Sequence, residues 1–114
     1  EIGLCDCLSV VHEYYEKELK IVLHDFIRND NWFNKTTTII RDNIPAKFQI
    51  IKTTEIQKND ILLFDMLKKG NPNHLGVYLG NNLLLHHPRH RLSIVEVMNE
   101  GLKDRMVFGL RFVP

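Results

Sequence analysis

The chain has 114 residues, 44% of them hydrophobic and 25% charged, with a formal net charge of +1. Those values suit a single domain over residues 1–114 and exclude an intrinsically disordered chain. So small a net charge leaves no strong electrostatic footprint for nucleic acid, and no apolar run approaches the roughly 20 residues of a membrane span.

The first predicted element is a helix over Asp6 to Leu19. Cys7, Val10, Val11 and Tyr14 follow the spacing of one helix face, Asp6 suits the N-cap, and Glu18 interrupts the stripe in the last turn. A shorter apolar pattern through Val22, Leu23, Phe26 and Ile27 predicts a second helix that Asn29-Asp30-Asn31 ends. An irregular polar stretch follows from Trp32 to Ile44, with a turn at Asn43-Ile44-Pro45. From there the period shifts towards two. Strands are predicted over Phe48 to Lys52, Ile61 to Phe64, His74 to Leu79 and Leu83 to His87. They are separated by a turn at Lys58-Asn59-Asp60, a loop from Lys68 to Asn73 and a turn around Gly80-Asn81-Asn82. Ile94 to Leu102 is expected to be a short helix, and Arg105 to Val113 a final strand. Helices first and an antiparallel sheet second make an α+β domain.

Two cysteines, Cys5 and Cys7, are separated by one residue. A disulfide between them would be strained and would close too small a loop to stabilise much. Two thiols point to synthesis in a reducing compartment, with redox sensing as an alternative use. A Cys in the first turn of a helix sits among backbone N–H groups that favour its thiolate and can stabilise an oxyanion. Cys7 is therefore a candidate nucleophile, against the alternative of a core residue on an apolar helix face. Cys5 lies outside the predicted helix and is expected to be a bystander.

A thiol nucleophile needs a base, and His74, His86 and His87 lie in or beside one predicted hairpin. Residues opposite one another in an antiparallel pair face the same side. An odd loop centred on Gly80 would set His74 opposite His86; a two-residue Gly80-Asn81 loop would set it opposite His87. The Gly-Asn-Asn composition permits either. In the first arrangement His74 is the base and His86 orients it.

Asp6-Cys7 at a helix start, His74-Leu75-Gly76-Val77-Tyr78-Leu79-Gly80 and His86 together resemble the NlpC-type cell-wall cysteine peptidases. Their usual forms are Asp-Cys-Ser-Gly and His-Val-Gly-Ile-Tyr-Leu-Gly, with a third polar residue, often His, about a strand pair later. Asn59-Asp60 resembles that family's Gly-Asp, whereas Leu8-Ser9 stands where Ser-Gly is usual. Tyr14-Tyr15, Trp32, Pro72-Asn73-His74, Leu84-Leu85-His86-His87 and Arg91-Leu92-Ser93 resemble, more narrowly, the tail-assembly subgroup of lambda-like phages. The resemblance implies a reduced papain-like α+β fold, with N-terminal helices packed on an antiparallel sheet. It implies a thiol peptidase using Cys7, His74 and His86, with no cofactor, that cleaves D-γ-glutamyl–diamino-acid bonds in peptidoglycan stem peptides. It further implies a place in a phage virion tail among other tail proteins, made in the host cytoplasm and acting at the bacterial cell wall. Glu1 in place of an initiator Met suggests a processed or excised piece.

Three other readings compete. Phage tails reuse enzyme-like domains as assembly parts, so the domain could serve as scaffold. His74, His86, His87 and a Cys would offer zinc soft ligands, although adjacent His86 and His87 point to opposite strand faces. An acyltransferase or amidase would use the same three residues. Arg89-His90-Arg91 reads as a solvated loop, with binding of acidic stem-peptide groups as the alternative. Trp32-Phe33 reads as packing, with a cleft wall as the alternative.

Overall fold

The continuous apolar run Ile61–Phe64 is the strand around which the rest of the chain is assembled. All four of its side chains are fully buried, which requires cover on both faces. The computed structural model describes residues 2–22, 47–66, 74–87 and 94–113, and the side chains of the first helix from Val10 onward. Six strands form one sheet: β1 (Phe48–Ile51), β2 (Ile61–Phe64), β3 (His74–Gly80), β4 (Leu83–His86), β5 (Ile94–Val97) and β6 (Met106–Phe112). Their order is β1-β6-β2-β3-β4-β5, and every neighbouring pair is antiparallel.

Alternation along the strands divides the core into two layers. On one face Ile61, Leu63, Leu75, Val77, Phe108 and Leu110 pack with Val11 and Tyr15 of α1 (Ile2–Glu18). On the other, Leu62, Phe64 and Leu84 pack with Met98 and with Leu102 of α2 (Glu100–Arg105). Each fully buried Leu, Ile or Phe contributes roughly 1.5–3 kcal/mol relative to exposure. Both layers meet at β2, so the centre of the sheet is its most heavily stabilised part.

The turn ahead of β2 ties this centre to α1. The Asp60 N–H closes the turn on the Gln57 carbonyl at 3.0 Å, and Asn59 takes a left-handed φ of 79°. Asn tolerates that conformation better than other residues with a Cβ, which explains how it can stand in the place of a glycine. The Tyr14 hydroxyl donates to Asn59 Oδ1 at 2.7 Å, and the Tyr15 hydroxyl donates to the Asn59 carbonyl at 2.5 Å. Asn59 in turn donates its N–H to the Tyr78 carbonyl at 2.7 Å. The C-terminal half of α1 is thereby fixed beside the Tyr78 end of β3. Asp60 is buried but well partnered: it accepts from the Gln57 N–H at 2.7 Å and from Nε and Nη2 of Arg111, both at 2.9 Å. Such a two-pronged charged pair satisfies a carboxylate that burial would otherwise penalise.

Two expectations from the sequence need correction. The first helix begins at Ile2 rather than at Asp6, so Asp6 is an interior residue and not the N-cap. Nothing in Ile2-Gly3-Leu4-Cys5 forbids helix, since a single Gly costs only about 1 kcal/mol. Ile94 to Leu102 is not one helix. Ile94–Val97 pairs with β4 as β5, and α2 starts only after Asn99. The β-branched residues there suit a strand, and the backbone of β4 offers hydrogen bonds that a helix would forgo. Asn99 then caps α2, its side chain accepting from the Leu102 N–H at 2.9 Å. The expected second helix lies outside the described residues, apart from Val22, which is exposed. The Trp32–Ile44 stretch, the turn at Asn43-Ile44-Pro45, the loop over Lys68 to Asn73 and the Arg89-His90-Arg91 cluster also fall outside them.

Candidate active site

His74 is the first residue of β3, directly opposite Phe64 on β2. Its neighbour across β4 is set by the turn. Asn81 and Asn82 take positive φ angles of 51° and 66°, the signature of a two-residue type I′ hairpin turn. Gly80, at φ 86°, pairs with Leu83, and a bulge then shifts the ladder, so that Tyr78 pairs with Leu84 and Gly76 with His86. Neither simple pairing expected for His74 occurs. His86 sits opposite Gly76, two residues along from His74 and on the same face.

Gly76 makes that diagonal contact possible. A Cβ on Gly76 would lie 2.8 Å from the Leu85 carbonyl oxygen and 2.9 Å from the His86 Cβ. Without one, β4 packs closely and the His86 ring reaches His74. Nε2 of His74 and Nδ1 of His86 are 2.8 Å apart, with the rings edge to face. The Phe64 ring stands beside His74, with centroids 5.9 Å apart. His74 is 8% exposed and His86 3%. Burial, then the neighbouring His86 and His87, push the His74 pKa down to about 4. His74 is therefore neutral near pH 7 and able to accept a proton.

The far nitrogen of His86, Nε2, lies 2.5 Å from Oε2 of Glu96. Glu96 belongs to β5, where it is paired with Leu84 and so sits diagonally across from His86 on the same face. His74, His86 and Glu96 thus form one hydrogen-bonded row across three strands. Sequence reasoning overlooked Glu96 because it placed the residue in a helix. The available signal was a single charge inside the β-branched run Ile94-Val95-Glu96-Val97.

Cys7 is within α1, but its side chain, like that of Cys5, lies outside the described residues. Because α1 begins at Ile2, the Cys7 amide is in the second turn of the helix. There a backbone N–H is already committed to the carbonyl four residues back. The amide field expected at Cys7 therefore belongs to residues nearer Ile2. His87 follows β4 and is half-buried. Among the described residues, no cluster of His, Cys, Asp or Glu is arranged to hold a metal ion. No described helix is long and apolar enough to cross a membrane.

The NlpC/P60 family model matches residues 2–111. The chain belongs to the NlpC/P60 family. Tail tip assembly protein K of Escherichia phage lambda is 31% identical to this NlpC/P60 chain over 94 residues, covering 82% of this chain and 46% of that protein. A crystal structure from Staphylococcus aureus, described as similar to a lipoprotein of the NLP/P60 family, matches with a TM-score of 0.58 at 19% identity. That match covers 96% of this chain and 32% of the staphylococcal one, and it establishes the fold. The chain thus spans about half the length of the phage relative and about a third of the staphylococcal one. The reduced papain-like α+β architecture implied by the motifs is the one observed, with the difference that α2 covers the sheet face opposite α1.

Proposed function

We propose that this NlpC/P60 domain is a cysteine peptidase that hydrolyses peptidoglycan stem peptides as part of a phage tail. The observation that carries the proposal is the buried His74–His86 pair, joined through Nε2 of His74 at 2.8 Å. With that nitrogen engaged, Nδ1 of His74 is the ring atom that takes a thiol proton, as in a Cys-His-polar triad. The course of α1 supports pairing His74 with Cys7. Tyr14 and Tyr15 are held at the Tyr78 end of β3, and Val11 shares a core with Leu75 and Val77. The helix retreats roughly 11 Å from the tyrosines to Cys7 at 1.5 Å per residue. The strand retreats roughly 13 Å from Tyr78 to His74. Both lead to the same end of the sheet. His74 itself is paired with Phe64 and faces the layer away from α1.

In the proposed reaction the Cys7 proton passes to His74 Nδ1 as the sulfur attacks the scissile carbonyl. The imidazolium then protonates the leaving amine, and water cleaves the thioester with His74 again acting as base. The pKa of about 4 makes neutral imidazole the resting form of His74. Similarity to a protein named for tail tip assembly supports a virion tail location and neighbouring tail proteins as partners. Synthesis in the host cytoplasm and action at the cell wall complete this reading. The same similarity favours a second reading, in which the domain is an assembly part without turnover.

One experiment separates the two. The purified domain is incubated with peptidoglycan stem peptides and products are followed by mass spectrometry, with Cys7→Ala as control. Cleavage by the wild type alone supports the peptidase and identifies the bond. Intact peptides with a folded wild-type domain sink the peptidase and leave the assembly part.

A further inference from the structure

We infer that Glu96 is a positioning residue that fixes the tautomers of both imidazoles, so that His74 presents a basic Nδ1 to the thiol. The tautomer claim stands on geometry; its catalytic consequence rests on the peptidase reading above.

Proton positions along the hydrogen-bonded row are set from its outer end. An ionised carboxylate can only accept hydrogen bonds. Glu96 Oε2 faces His86 Nε2 at 2.5 Å, so that nitrogen carries the ring proton and donates it. In neutral imidazole the other nitrogen then holds a lone pair. That nitrogen, Nδ1 of His86, faces Nε2 of His74 at 2.8 Å, so His74 must supply the proton there. His74 is neutral, its pKa being pushed down to about 4, and its lone pair therefore falls on Nδ1. A histidine alone in the third position cannot impose this direction, because its ring can donate or accept from either nitrogen. The reverse polarity, with His86 donating from Nδ1, would put the His74 proton on Nδ1 and abolish its action as base. With His86 neutral, Glu96 selects between the two; a charged His86 would donate from both nitrogens and give the reverse polarity.

The fold gives Glu96 this position specifically. Among the described residues β5 is an edge strand, and Val95 and Val97 on the opposite face are exposed, 52% and 61%. Alternation turns Glu96 alone of those three towards the face of His86. Its side chain is 37% exposed while that of His86 is 4% exposed, so the carboxylate keeps contact with water and anchors a buried ring. An exposed pair of ordinary kind would do little; here one partner has no solvent to replace the carboxylate.

The test reads tautomers directly, by two-bond 1H–15N correlation spectra of the full chain labelled with 15N-histidine at neutral pH. His74→Gln and His86→Gln assign the rings, and Glu96→Ala, Glu96→Gln and Glu96→Asp are compared with wild type. Wild type is expected to show protonated Nε2 and unprotonated Nδ1 on both rings. Glu96→Ala should convert His74 to a mixture of tautomers in a protein that still folds, since the Glu96 side chain is partly exposed to solvent. Glu96→Gln, whose amide can donate or accept, should also mix them, and Glu96→Asp should restore the wild-type form in part. Stem-peptide hydrolysis should fall roughly tenfold or more in Glu96→Ala, mostly in kcat. Wild-type rings protonated on Nδ1, or tautomers unmoved in folded Glu96→Ala and Glu96→Gln, would overturn the inference. A wild type with the expected tautomer dependence and no hydrolysis supports the role of Glu96 while removing the peptidase. Hydrolysis with tautomers indifferent to Glu96 removes the role of Glu96 alone.

Discussion

Replacing Gly76 by Ala tests how closely the sheet must pack for the imidazoles to meet. The added Cβ would lie 2.8 Å from the Leu85 carbonyl oxygen, 2.9 Å from the His86 Cβ and 3.0 Å from Leu84 Cδ1. Ordinary contacts begin near 3.4 Å, so β4 must withdraw by about 0.6 Å. The first of these atoms is backbone and the second is a Cβ, so neither can be relieved by rotating a side chain. Overpacking of this kind costs roughly 1–3 kcal/mol. The same withdrawal would stretch the 2.8 Å contact between His74 and His86 to about 3.4 Å, beyond the usual range, forfeiting up to roughly 1 kcal/mol more. We expect a loss of about 2–4 kcal/mol in denaturant-induced unfolding, together with loss of the coupled histidine tautomers. Gly101→Ala is the matched control: its nearest obstacle is the Asn99 side chain at 3.4 Å, and it lies in α2. It should be neutral or stabilising by up to about 1 kcal/mol. A Gly76→Ala protein that unfolds at the wild-type denaturant concentration, with its histidine contact intact, would refute the reasoning.

Three further outcomes are expected. Because burial lowers the His74 pKa from 6.5 to about 4, the unfolded chain takes up a proton below pH 6.5 that the folded chain refuses. The associated stability, about 3 kcal/mol, is present above pH 6.5 and is lost as pH falls towards 4; unfolding free energies measured across that window should flatten in His74→Gln relative to wild type. Arg111→Met removes both prongs of the contact with Asp60, which is 1% exposed. It should cost about 3 kcal/mol, the low end for a broken buried pair because the Arg111 side chain is itself 29% exposed, and thermal unfolding checks it. Asn99→Ala deletes the cap on α2 and should cost about 1 kcal/mol in denaturant unfolding, without altering the tautomers of His74 and His86.

The sequence alone determined the parts of this protein that depend on local pattern. A four-residue apolar run has to be covered on both sides, and β2 is. The spacing of Val10, Val11 and Tyr14 predicted the helix that carries Cys7, although Tyr15 rather than Tyr14 is the fully buried tyrosine. The segment His74 to Leu79 was legible as a strand, and His74 to Gly80 as a family motif, because its alternation and its glycines answer to local backbone and packing needs. Tertiary structure decided what depends on partners distant in the chain. The bulge at Gly80 shifts the ladder by one residue, so the partner of His74 could not be found by counting from the turn. The segment Ile94–Val97 could satisfy its backbone as helix or strand, and pairing with β4 settled the matter. With that choice, Glu96 came within hydrogen-bonding distance of His86. A side chain's neighbours across a sheet are set by register, and register is a property of two strands together, which no single stretch of sequence contains.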